Sequence, residues 1–74
     1  MNVSPAIPLP TRQQDALDFI KKFSKAHNYS PSSREIAAAL GISQPAAQQK
    51  VRALERAGRI KTTPSVARSI VVLA

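Results

Sequence analysis

The 74 residues carry 11 Lys and Arg against 4 Asp and Glu, a net charge of +7, and contain no cysteine. That length holds one domain with a small core and no second domain, and without cysteine there is neither a disulfide framework nor a thiolate zinc site. The apolar run from Ile70 to Leu73, like every other in the chain, falls far short of the roughly 20 residues a membrane helix needs. The N-terminus lacks the basic and apolar stretches of a secretory signal, so the expected location is cytoplasmic.

Residues 1–10 include Pro5, Pro8 and Pro10 with no helical period, which predicts a flexible, proline-rich arm ahead of a folded domain over 11–74. A first helix should begin at Thr11, where Thr11 and Gln14 have the spacing of a capping box. Its apolar face reads Ala16, Ile20, Phe23 and His27, with Leu17 and Phe19 at the edges, and it should end near Asn28. Asp18 with Lys21 and Lys22 would supply ion pairs on the outer side. Lone His27 is a poor metal ligand set, so it is expected to pack, as are Phe19, Phe23 and Tyr29.

Pro31 keeps Ser30 out of helical angles, so Tyr29 to Pro31 is a loop. Ser32 and Glu35 form a second capping box. It opens a helix to about Leu40 that buries Ile36, Leu40 and Ala37, with Gly41 supplying the left-handed angle that ends it. A short turn then leads to Ser43, the cap of a third helix with Pro45 in its first turn. Ala47, Val51 and Leu54 share one face with Gly58, while Gln49, Arg52 and Arg56 point the other way with Gln48 beside them. Two strands, Ile60 to Thr63 and Ser69 to Leu73, should be joined by a hairpin over Pro64 to Arg68, with Ile60, Thr62, Ile70 and Val72 facing inward.

The expected fold is therefore mostly α within an α+β class: a winged helix-turn-helix, a three-helix bundle with a C-terminal two-stranded β-wing. In that layout the helix after the turn lies in the DNA major groove. Charge agrees, since six of the 11 basic residues (Lys50, Arg52, Arg56, Arg59, Lys61, Arg68) lie beyond position 49, opposed there only by Glu55. Such a clustered positive field is an electrostatic footprint for nucleic acid. Base reading falls to the first turns of the third helix, where Gln44 faces the groove by geometry, Gln48 and Gln49 can pair bidentately with adenine, and Ala46 can meet a thymine methyl. Arg52 and Arg56 can reach phosphates, and the amides near Ser32 and Ser43 favour them.

The segments TRQQDALDFI, SPSSREIAAALGI, SQPAAQQKVRALERAGRI and ARSIVVL, in this order and spacing, resemble the N-terminal DNA-binding domain of LexA-type repressors from Thr11 to Leu73. The third segment is also similar to MarR- and ArsR-type winged helices, so the resemblance leans on both ends of the chain. It implies base-facing roles for Ser43, Pro45, Ala46, Gln48 and Gln49. It also implies phosphate contacts by Arg68 in the wing with Ser65 assisting, by Arg12, and by Arg34, although the family arginine lies one position earlier than Arg34. The chain departs from the family where Gln48 and Gln49 replace Glu-Glu and Pro45 replaces Asn, and it is one residue shorter between Gly41 and Ser43. A carboxylate accepts from cytosine N4, whereas glutamine can also donate, so the preferred operator should differ.

The resemblance implies a small sequence-specific transcriptional regulator of repressor type that binds a double-stranded DNA operator. Because one such module makes only a modest contact with DNA, a homodimer on DNA is expected, with Val71 to Leu73 or the proline-rich arm as its contact. Its SOS connection is weaker, because the length leaves no room for the self-cleaving Ser/Lys peptidase of full-length members. Neither a nucleophile elbow nor an acid–base pair is present, so no enzyme, cofactor, metal, membrane or small-molecule ligand is expected. The competing reading is a winged-helix protein-interaction module, whose binding would resist salt where DNA binding would not. Nonspecific nucleic-acid compaction or RNA binding would show no preference among DNA sequences.

Overall fold

The computed structural model describes residues 11–63, 66 and 68–73. The arm over 1–10, and Ser65, lie outside the described residues. Three helices, α1 (Thr11–His27), α2 (Ser33–Leu40) and α3 (Gln44–Arg56), are followed by two short strands, β1 (Ile60–Lys61) and β2 (Val71–Val72). The strands pair antiparallel with Ile60 opposite Val72 and Lys61 opposite Val71. The winged helix-turn-helix expected from the sequence is the observed fold.

Local chemistry sets the boundaries of α2 and α3. The Ser32 hydroxyl accepts from the Glu35 amide (3.2 Å) and the Glu35 carboxylate accepts from the Ser32 amide (2.8 Å), a reciprocal capping box. At the other end Gly41 takes φ 67°, and the amides of Gly41 and Ile42 both close on the Ala37 carbonyl. Nothing lies within 4 Å of a Cβ built on Gly41, so the glycine is there for its backbone angle and not for space. Ser43 caps α3 by accepting from the Ala46 amide, and Pro45 sits in the first turn. Gly58 at φ 75° ends α3 as its amide bonds to the Glu55 carbonyl and the Arg59 amide to the Leu54 carbonyl, which is a Schellman closure.

One side of each element supplies the core: Ala16, Leu17 and Ile20 from α1, Ile36 and Ala37 from α2, Ala47 and Leu54 from α3, and Ile60 from β1, with Val51, Leu40, Ile70 and Val72 packed around them. Leu17 is central and not at an edge. Phe23, His27 and Tyr29 lie outside this core. The His27 ring centre is 4.2 Å from that of Phe23 and 5.5 Å from that of Tyr29, and Tyr29 is 49% exposed. The cause is length. With 17 residues against 8, α1 outruns α2 by roughly 1.5 Å per extra residue, and its last turns build a peripheral aromatic row where a core had been expected.

The expected capping box at Thr11 does not form. Thr11 is already helical, and the Gln14 side chain donates forward to Asp18 (2.9 Å), because an acceptor one turn ahead outcompetes a backward reach. That bond also takes Asp18 from Lys21 and Lys22, and no ion pair forms there among the described residues.

The strands are shorter than expected, since side chains capture backbone groups that a longer ladder would have used. The Thr62 amide donates to the Glu55 carboxylate, and the Ser69 hydroxyl both accepts from the Thr63 amide and donates to the Thr63 carbonyl. The alternation survives: Ile60, Thr62, Ile70 and Val72 are buried or half-buried, while Lys61, Thr63, Val71 and Leu73 are exposed. No described helix is long and apolar enough to cross a membrane.

Candidate nucleic-acid interface

Burying Ala47 and Leu54 turns the opposite side of α3 outward. Pro45, Gln49, Arg52 and Arg56 lie along that side and are all exposed. Arg52 and Arg56 form no ion pair with any described residue, so their charges are uncompensated. Arg56 in the last turn also complements the helix dipole.

Beside this line lies an open cleft of about 680 Å³ between the start of α2, the flank of α3 and the wing; Arg34, Gln44, Gln48, Arg52, Thr63 and Ile70 are among its lining residues. The capping box consumes the Ser32 and Glu35 amides. The amides of Ser33 and Arg34 are left without an acceptor among the described residues, directed out of the helix start where an anion would be favoured. Arg34 itself is exposed in the first turn.

Arg68 and Ile70 tie the wing to this wall. Arg68 bonds bidentately to Glu35 (2.8 and 3.2 Å) and donates to the Ser30 carbonyl (3.2 Å), with its guanidinium 4.7 Å from the centre of the Tyr29 ring. The Ile70 amide donates to the Ser30 hydroxyl (3.1 Å) in the same seam. Arg68 has φ 56°, a left-handed angle that costs a non-glycine residue on the order of 1 kcal/mol and persists only where the surroundings enforce it. The Ser32 amide and then Arg68, through their hydrogen bonds, hold the Glu35 carboxyl below its ordinary range. Glu35 in turn raises Arg68 above its own.

The residues singled out from the sequence fall into distinct places. Ser32, Arg34, Gln44, Gln48, Arg52 and Arg68 border the cleft. Ser43, Pro45, Ala46, Gln49 and Arg56 continue the outer surface of α3, with Ala46 half-buried. Arg12 stands at the far end of α2, where it donates to the Leu40 carbonyl (2.7 Å) and lies 3.6 Å from Asp15, capping the helix C-terminus. Glu35, Ser30 and Tyr29 were missed as parts of this surface. The opposite charges of Glu35 and Arg68 were visible, but nothing local brings residues 33 apart together. Among the described residues no group of three or more His, Cys, Asp or Glu could hold a metal ion.

A helix-turn-helix with an uncompensated basic outer helix, flanked by a two-stranded wing, defines the winged-helix class of nucleic-acid-binding modules. Within that class the chain belongs to the LexA DNA-binding domain family, whose model matches residues 6–69. It is 41% identical over 68 residues to a LexA repressor of Methylococcus capsulatus, covering 90% of this chain and 34% of that protein. A LexA repressor of Pseudomonas aeruginosa is 41% identical over 63 residues, 84% of this chain and 31% of its own length. One from Koribacter versatilis is 41% identical over 68 residues, 90% and 32% respectively. The chain thus spans about a third of the length of the curated relatives it matches.

Proposed function

We propose that this chain binds double-stranded DNA in a sequence-specific manner as the reading part of a transcriptional repressor, without catalysis of its own. One observation carries the reading: Gln49, Arg52 and Arg56 stand free on a single outer line of α3, beside a cleft walled by the start of α2 and the wing. With α3 in the major groove, Gln44, Gln48 and Gln49 present amide groups to base edges, and a glutamine meets adenine N6 and N7 with one acceptor and one donor. Ser43, Pro45 and Ala46 bring the start of the helix close to the groove floor, with the Ala46 methyl suited to thymine. Arg34, Arg52, Arg56 and the open amides at the start of α2 take phosphates on either side and fix the register.

A single winged helix buries about 600–1,000 Å² on DNA, a modest contact. A second copy on an adjacent half-site would double it, and repressor dimers of this kind read two half-sites on one face of the duplex. The relatives' name, LexA repressor, supports the repressive role for this chain.

Selection of bound sites from random duplex DNA, with stoichiometry by sedimentation, tests the proposal. A defined motif with two related halves and two chains per site is expected. Recovery of random sequence, or binding that is indifferent to salt, would contradict it and favour a protein-interaction module.

A further inference from the structure

The wing arginine sits where a phosphate ligand would be sought, yet most of its donors are already engaged within the fold. Three of its five N–H groups are engaged, two on Glu35 and one on the Ser30 carbonyl. Glu35 neutralises its charge and Tyr29 covers one face of the guanidinium. Glu35 lines the cleft along with Arg34 and Arg52. It is an acid placed where the DNA backbone is proposed to run, and its role in the α2 capping box holds it there. A bare carboxylate in that position would repel phosphate.

We infer that Arg68 is a positioning residue and not a phosphate ligand: it masks the Glu35 carboxylate inside the DNA-facing cleft and holds the wing against α2 while DNA is bound. Three features converge on this. The bidentate geometry is the strong form of the arginine–carboxylate pair. Arg68 holds a left-handed backbone angle while its side chain reaches Glu35 in the first turn of α2. The neighbouring Ile70–Ser30 bond fixes the same segment of the wing to the same loop. Arg34 and Arg52, which border the cleft without ion pairs, remain as its phosphate-binding cations. The inference rests on the proposed DNA binding.

The test compares wild type, R68Q and E35Q/R68Q on one duplex selected by the wild type, from about 0.05 to 0.3 M salt. Glutamine fits a capping box as well as glutamate does, so the double variant keeps α2 while removing the acid. R68Q unmasks Glu35 and should weaken binding about tenfold, as like charges brought together do, with a shallower salt dependence. E35Q/R68Q should recover affinity to within about threefold and restore the wild-type salt slope, because the footprint's net charge is unchanged. If the double variant stays weak with a slope shallower by about one, Arg68 grips phosphate itself. If both variants are weak with the wild-type slope, Arg68 only supports the fold. Either result overturns the inference.

Should R68Q fail to fold, the Glu35 carboxyl carbon of labelled wild type is followed by NMR as duplex is added. A constant shift is expected, and movement to that of a free carboxylate overturns the inference. A wild type that binds no duplex at low salt removes the proposed function and this inference with it. A wild type that binds while E35Q/R68Q stays weak removes the inference alone.

Discussion

Replacing Arg56 with alanine isolates the electrostatic part of the interface. Arg56 is exposed in the last turn of α3 and forms no ion pair with a described residue, so its removal unpairs nothing inside the protein. Losing one phosphate contact should flatten log K against log[salt] by about 0.9. Extrapolated from about 1 M salt down to 0.1 M, that slope amounts to nearly one decade, roughly an eightfold loss or about 1.2 kcal/mol per chain. Removing the cation from the helix C-terminus should cost a further 0.3 to 1 kcal/mol or so of stability, readable separately as a small drop in melting temperature. Fluorescence anisotropy with a labelled duplex at several salt concentrations measures the slope. Lys25→Ala, at an exposed position on α1, is the control and should leave the slope alone. An unchanged slope in Arg56→Ala with a flattened one in Lys25→Ala would refute the placement of the interface on α3.

Other perturbations separate reading from folding. Gln49→Ala should relax preference at one base position by about 1–3 kcal/mol while the salt slope holds, checked by repeating the site selection with the variant. Leu54 is fully buried among α1, α2 and β1 side chains, and Leu54→Ala should cost about 2–5 kcal/mol, a large share of a small domain's stability, seen in urea unfolding. Gly41→Ala has room for its methyl but not the backbone angle and should cost about 1 kcal/mol by the same assay. The Glu35 carboxyl is held below its ordinary value of 4.5 in the fold, so its contribution to stability is complete above that pH and is lost as pH falls through the lower folded value. Glu35→Gln should remove that part of the acid-limb dependence, measured as melting temperature against pH.

Short-range signals were legible in the sequence because the atoms that satisfy them are neighbours. The Ser32–Glu35 box, the Gly41 stop, the Ser43 cap and the in-out alternation of the wing all follow from residues within one or two turns of each other. The same spacing misled at Thr11 and Gln14, since Asp18 offered a competing acceptor one turn ahead. Helical periodicity put Phe23 and His27 on the apolar face with Ala16 and Ile20, yet His27 is exposed and neither joins the core, because periodicity could not tell that α1 extends past the helix it packs on. What stayed hidden is non-local: Arg12 closing the end of α2 through the Leu40 carbonyl, and Arg68 reaching Glu35 and Ser30. Both arginines were expected on DNA phosphates, because their partners within the fold are set by tertiary packing alone.

The most direct measurement is the amide chemical-shift map of the chain titrated with a selected duplex in dilute buffer. Perturbations should concentrate at Ser33 to Glu35, along Gln44 to Arg56 and in the wing from Thr62 to Ile70, with Lys21 to Lys25 on α1 unmoved. Perturbations centred on α1, or a spectrum that duplex leaves unchanged, would contradict the assignment of the outer α3 surface to DNA.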